Sequence, residues 1–207
     1  MNSVGGHRAE LAFRYPVGTH TRKHGPGGYA SYEQYRDWLR DEFAFRCLLC
    51  LRREQWLGRT AQFHIDHVKP QIAAPKGVRD YDNLVYLCAR CNEVKSDWCV
   101  PDPCTLALHE CLEVQGDGTI EALSREGELL VAVYRLDSKE LVEYRAKMIR
   151  TFRALEKTAP EVLRQWLRYP DDLPDLARKR PPWNVRPNGV HSCCFALRER
   201  GELPEVY

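Results

Sequence analysis

Two pairs of cysteines and a few polar side chains between them hold most of the reactive chemistry of this 207-residue chain. Cys47 and Cys50 form one Cys-x-x-Cys pair, and Cys88 and Cys91 form a second. Such a pair places two thiolates on one tight turn at the bite a tetrahedral Zn2+ requires, so two pairs make a closed four-sulfur site. Between and just beyond them lie His64, Asp66, His67, Asn83 and Asn92. The Asp66 carboxylate and the Asn92 amide are hard oxygen donors, suited to Mg2+ or Mn2+. A neutral imidazole at His67 beside such a cation is placed to take a proton from water. Phosphodiester hydrolysis asks for this set: a base for the nucleophile, and a cation holding the scissile phosphate and the leaving oxygen.

Positioning these groups requires particular elements. Gln62 to Val68 reads as a strand and Leu84 to Leu87 as a second, dense in β-formers, with a loop between them marked by Pro75 and Gly77. Neighbouring strand residues point to opposite faces, so Asp66 and His67 can share a task only at a bend or a strand end, and Pro70 supplies an end. His64 shares the face of Asp66 and is read as a supporting residue. Ala89 to Ser96 then forms the helix that presents Asn92, with Lys95 one turn on, where it could meet a phosphate.

The run His64-Ile-Asp66-His67-Val-Lys-Pro70, followed by Asp82-Asn83-Leu-Val-Tyr-Leu-Cys88-Ala-Arg-Cys91-Asn92-Glu-Val-Lys95, resembles the HNH endonucleases, whose core is a ββα-metal finger. It is similar to the His-Asn-Asn version of that family, and in particular to its zinc-bearing members, whose four cysteines stand where Cys47, Cys50, Cys88 and Cys91 do. The resemblance implies that Asp66 and Asn92 bind a catalytic Mg2+ or Mn2+, that His67 is the general base, and that Asn83 orients the His67 loop through the backbone. It covers about a quarter of the chain.

Around this finger the expected fold class is α+β: an arm over residues 1–30, a zinc-stabilised nuclease domain over 31–100, and a mainly helical extension with a β-hairpin over 101–207. The arm, ending in HTRKHGPGGYA, shows no periodicity and reads as a disordered lead-in, with backbone contacts to nucleic acid from His20, Arg22, Lys23 and His24 as the lesser reading. Ser31 caps an amphipathic helix running to Arg46, with Tyr35, Trp38, Leu39 and Phe43 on one face. In the extension, Leu106 to Val114 and Thr119 to Ala122 read as a hairpin about Gln115-Gly116-Asp117-Gly118, Leu129 to Leu136 as a helix, Lys139 to Lys157 as a long helix, and Pro160 to about Arg168 as a short one. Residues 170–191, proline-rich and containing Arg178-Lys179-Arg180, read as a wrapping loop. The extension and the closing Gly201-Glu-Leu-Pro204-Glu-Val-Tyr207 resemble, more loosely, a segment of HNH proteins from bacterial restriction and phage-defence operons, which implies an ATPase or targeting subunit as partner.

Composition sets the remaining bounds. No apolar run approaches a membrane span and the opening residues lack an apolar leader, so a cytoplasmic protein is expected. Nine cysteines without an export signal favour metal ligation and reduced thiols over disulfides, and Cys99, Cys104, Cys111, Cys193 and Cys194 are expected as buried small apolar residues. A net charge of +2 announces no nucleic-acid binder, so a DNA-binding surface must be a local patch. Its candidates are Arg52, Arg53, Arg59, Lys69, Lys76, Arg79, Arg90 and Lys95, with Arg53, Lys69, Arg90 and Lys95 foremost. The leading expectation is a DNA endonuclease; its rival is a zinc finger that binds nucleic acid without cutting it. A Cys-x-x-Cys redox protein is disfavoured, because paired motifs fit zinc better and no thioredoxin-like βαβ pattern surrounds either.

Overall fold

The computed structural model describes residues 12–58 and 62–207. Its centre is an antiparallel hairpin. Strand β2 (Phe63–His67) pairs with β3 (Leu84–Cys88) in a register that sets Phe63 opposite Cys88 and His67 opposite Leu84. Every residue of Leu-Val-Tyr-Leu-Cys in β3 is buried, as expected of a β-branched and aromatic run covered on both faces. Helix α2 (Ala89–Lys95) follows without a linker, its N-cap being Cys88 itself, and packs back on β2 and β3. The connection between the strands holds 3-10 turns at Pro75–Gly77 and Tyr81–Asn83, the second capped by the Asp80 carboxylate. Mixed helices and small antiparallel sheets around this ββα finger make the chain an α+β protein.

The N-terminal side departs from expectation twice. Ser31 does cap, with Gln34 completing a capping box, but it starts a 3-10 turn (Tyr32–Tyr35) that passes into α1 (Arg36–Glu42) and stops four residues before Arg46. The stop is conformational, since Ala44 and Phe45 are both left-handed, at φ 50° and 56°, and turn the chain toward Cys47. Residues 12–30 before it form no disordered lead-in, and residues 1–11 of the expected arm lie outside the described residues. Glu42 accepts from His20 Nε2 and from the backbone N–H groups of Lys23 and His24, while His24 Nε2 lies 2.8 Å from the Asp41 carboxylate. Arg22 donates to the carbonyls of Asp82 and Leu84. A two-residue strand, β1 (Pro26–Gly27), then pairs with β6 (Trp183–Asn184).

Beyond the finger, a single helical turn, α3 (Leu108–Cys111), replaces the first half of the expected strand, leaving β4 (Leu112–Val114) to pair with β5 (Ile120–Ala122). The intervening turn needs Gly118 at φ +89°. Helices α4 (Arg125–Tyr134), α5 (Lys139–Thr158) and α6 (Pro160–Leu167) follow, and the chain closes through α7 (Cys194–Glu199). One apolar core runs through finger and extension alike, joining Leu51 and Tyr86 to Leu112, Ile149, Phe152 and Leu163. Among the described residues no helix is long and apolar enough to cross a membrane.

Candidate active site and metal centre

The sulfur cage is built from the two ends of the finger. Cys47 and Cys50 sit on a knuckle closed by hydrogen bonds from Leu51 N–H to the Cys47 carbonyl and from Cys47 N–H to the Arg52 carbonyl, with Leu51 left-handed at φ 60°. Leu48 N–H donates to the Tyr86 carbonyl and fastens the knuckle to β3. Cys88 ends β3 and Cys91 lies in the first turn of α2, so strand end and helix start aim both thiols inward. All four residues are buried and their Sγ atoms lie within 4.8 Å of one another, with Cys50 and Cys88 at 3.5 Å. A tetrahedron of zinc–sulfur bonds of about 2.3 Å has edges of about 3.8 Å, so the four thiols could hold zinc with little movement. Hydrogen bonds from Cys47, Cys50 and Cys91 hold the Cys88 thiol well below the ordinary thiol range, while burial and contacts within the cluster push the Cys50 and Cys91 thiols well above it, so charge is concentrated on one sulfur of the cage. Of the remaining cysteines, Cys104, Cys111, Cys193 and Cys194 are buried as expected, whereas Cys99, just past α2, is exposed.

Asp66 and Asn92 are carried by elements that pack together, Asp66 by β2 and Asn92 by α2. His64 and Asp66 share the less buried side of the strand. Lys95, at the end of α2, places Nζ 3.2 Å from Asp66 Oδ2 and 2.9 Å from the His67 carbonyl. The ammonium and Oδ2 attract as charges but are not aligned for a hydrogen bond, and Oδ2 is a buried oxygen that accepts none. Burial, incompletely offset by Lys95, pushes the Asp66 carboxyl above its ordinary value. Asn92 stands one turn before Lys95, and its side-chain amide has no partner among the described residues. The direct neighbour of Asp66 is thus Lys95, which also donates to Oδ1 at 3.5 Å, while the Asp66 carboxylate and the Asn92 amide are oxygen donors of the kind a hard divalent cation takes. Such an ion must share Asp66 with Lys95 or displace it.

His67 faces the other way. It is 4 % exposed, with its ring edge-on to Tyr32 at 4.9 Å and Nε2 2.9 Å from the Val78 carbonyl. A carbonyl partner requires the proton on Nε2, which leaves Nδ1 as the basic nitrogen, 3.3 Å from the Gln71 amide. Asn83 clasps the loop around it: Oδ1 accepts from Lys69 N–H, and Nδ2 donates to the carbonyls of Lys69 and Gly77, the residue before Val78. The strand's alternation sends Asp66 and His67 to opposite faces at the end of β2.

The basic candidates separate sharply. Arg53 is 1 % exposed and donates to the carbonyls of Leu167 and Tyr207, so it ties the extension to the finger and shows no face to a phosphate. Arg90 donates to the Tyr134 and Arg135 carbonyls and to Ser138 Oγ, joining α2 to the turn after α4. Lys95, 1 % exposed, is held on Asp66 and the His67 carbonyl. Lys69 is exposed beside the His67 loop. Arg59 lies outside the described residues. Sequence reasoning missed Gln71, the Val78 carbonyl and the pairing of Lys95 with Asp66. A lysine three residues after Asn92 lies on the same helix face, and that spacing was the available signal for the last.

The family model of HNH endonuclease matches residues 47–97, the segment from the first cysteine of the cage to just beyond α2. No curated protein matches the chain. The match supports a nuclease function in general.

Proposed function

We propose that this HNH segment makes the chain a metal-dependent endonuclease that hydrolyses phosphodiester bonds in DNA. The observation behind this reading is the buried Oδ2 of Asp66, which accepts no hydrogen bond, on the strand against which the Asn92-bearing helix packs, within the residues the family matches. Asp66 and Asn92 would hold Mg2+ or Mn2+, which supplies charge for the scissile phosphate and the leaving 3′ oxygen. His67 takes the proton of the attacking water on Nδ1 once the Gln71 side chain swings aside, and the Val78 carbonyl keeps the opposite nitrogen protonated throughout. Asn83 fixes the backbone on both sides of that imidazole. His64 lines the approach to Asp66 from the same face of β2. Lys69, Lys76 and Arg79, exposed near His67 in sequence, are the basic residues offered to a phosphate there. A wider setting in restriction or phage defence, beside an ATPase or targeting subunit, is supported only by the looser likeness of the C-terminal extension.

A non-catalytic zinc finger for nucleic acid is the second reading, favoured by the closed surroundings of His67 and by the ammonium on Asp66. Plasmid DNA separates the two. With Mg2+ or Mn2+ the protein should nick or linearise the plasmid, and His67→Ala should lower the rate by at least about a hundredfold with zinc content unchanged. Binding without cutting under either ion would replace the nuclease with the binding module.

A further inference from the structure

Two stretches that the site leaves unused meet on one surface. The glycines of His24-Gly-Pro-Gly-Gly28 and the segment Pro181-Pro-Trp-Asn-Val-Arg186 come together in the β1–β6 pair, where Gly27 lies opposite Trp183. The indole lies across a floor of backbone. A Cβ at Gly27 would fall 2.0 Å from indole Nε1, and one at Gly28 would fall 2.5 Å from Cζ3, so the ring covers both glycines and only glycine admits it there. Its other side is open, the residue being 60 % exposed, with Val185 69 % exposed beside it. A large ring pinned flat from beneath and bare above has paid its conformational entropy in advance.

Charge defines what can lie on it. From Leu176 to Arg198 the chain holds Arg178, Lys179, Arg180, Arg186 and Arg198 and no acidic residue. Arg178 and Lys179 pair with Asp175 and Asp37, while Arg180 has no ion partner among the described residues. The same segment is anchored at the site, because Arg186 grips the Asp82 carboxylate with both terminal nitrogens, at 3.0 and 2.7 Å, and Asp82 precedes Asn83. Three chain steps lead from Trp183 to Arg186, at most about 11 Å.

We infer that Trp183 is a stacking platform for an unpaired base of the nucleic-acid substrate, with Arg180 neutralising the neighbouring phosphate. An exposed π-face with an unpaired cation three positions before it in the chain fits a single strand, which offers flat bases and a regular anionic backbone. This rests on the nucleic-acid substrate proposed above, and its test is arranged so that cutting plays no part.

Binding of a fluorescent single-stranded 12-mer is measured by anisotropy without divalent ions, in the His67→Ala background. Trp183→Ala and Trp183→Leu should each weaken binding about tenfold, while Trp183→Phe stays within about threefold, since it keeps an aromatic face. Leucine retains apolar cover over the glycines, so equal losses in the two variants separate stacking from packing. Neither loss should appear on an abasic strand or on a duplex of the same sequence. Arg180→Ala should lower the slope of log affinity against log salt by about 0.7, a slope that Trp183→Leu leaves unchanged. Wild-type affinity in Trp183→Leu, or an equal loss on the abasic strand or the duplex, would overturn the platform. Failure of the nuclease reading would show separately, as an intact plasmid in the wild-type assay.

Discussion

Lys95 and Asp66 set the terms on which the proposed cation would bind. With Lys95 1 % exposed and Asp66 12 % exposed at the side chain, removing the lysine leaves a buried carboxylate without its counter-charge. Lys95→Met should therefore cost about 3 kcal/mol in urea unfolding, and Mn2+ should restore part of that loss while stabilising the wild type less. Equal effects of Mn2+ on both proteins would show that the ion does not use Asp66. A second buried cluster governs the acid limb. Burial opposes the Asp41 charge, but His24 and Lys23 outweigh it and bring the carboxyl from 3.8 to about 2. Glu42 falls from 4.5 to about 2 because His20 and the backbone N–H groups of Lys23 and His24 outweigh its burial. Depressed folded values mean stability that is complete above the unfolded values and lost as protons bind, so unfolding free energy should fall from about pH 4.5 down to about pH 2, by about 2 kcal/mol for Asp41 and about 3 kcal/mol for Glu42. Asp41→Asn should be less stable at pH 7 and show a shallower decline across that window, measured by urea melts at stepped pH.

At the scale of elements, the finger was legible because its signals are local: a β-former run, Cys-x-x-Cys turns and a helix starting at the second pair. The breaks were not. Nothing in the periodicity of residues 31–46 shows that Ala44 and Phe45 turn left-handed, since the chain does so to bring Phe45 into full burial and Cys47 into the cage. Leu106 to Val114 is a short apolar run of the kind that suits helix or strand equally, and packing of α3 on α4 decides for one helical turn at its centre. Gln115 to Gly118 did read correctly as a turn, and the structure adds why its last residue is glycine. A Cβ on Gly118 would meet the Ala146 nitrogen at 2.4 Å and the Val142 carbonyl oxygen at 2.5 Å, both backbone of α5, at a φ that already disfavours side chains. The Gly118 carbonyl also accepts from Arg145 Nε, whose guanidinium is buried. Gly118→Ala should accordingly lower stability by about 3 kcal/mol in chemical denaturation, and an unchanged midpoint would mean that the hairpin is not seated on α5.

For the molecule as a whole, what the sequence concealed is long-range pairing. His20 to His24 have no pattern of their own, and they are ordered by carboxylates on α1 and by carbonyls near Asn83. Arg53, read as a phosphate contact, instead spans the core to Leu167 and Tyr207. The family match over residues 47–97, the α+β class and the four-cysteine cluster were within reach, because each rests on residue type and short spacing. Continuity of the core through finger and extension predicts that stripping zinc with a chelator destabilises the chain as one unit, with a single lowered transition for near- and far-ultraviolet signals. Two separated transitions would show that the extension holds its fold without the cage. The central claim is that a hard-cation site stands beside the sulfur cage, and anomalous diffraction from a crystal soaked in Mn2+ tests it most directly. The expected result is a manganese peak in contact with Asp66 Oδ2 and the Asn92 side-chain oxygen; a map with Lys95 still on Asp66 and no manganese between those two residues would contradict it.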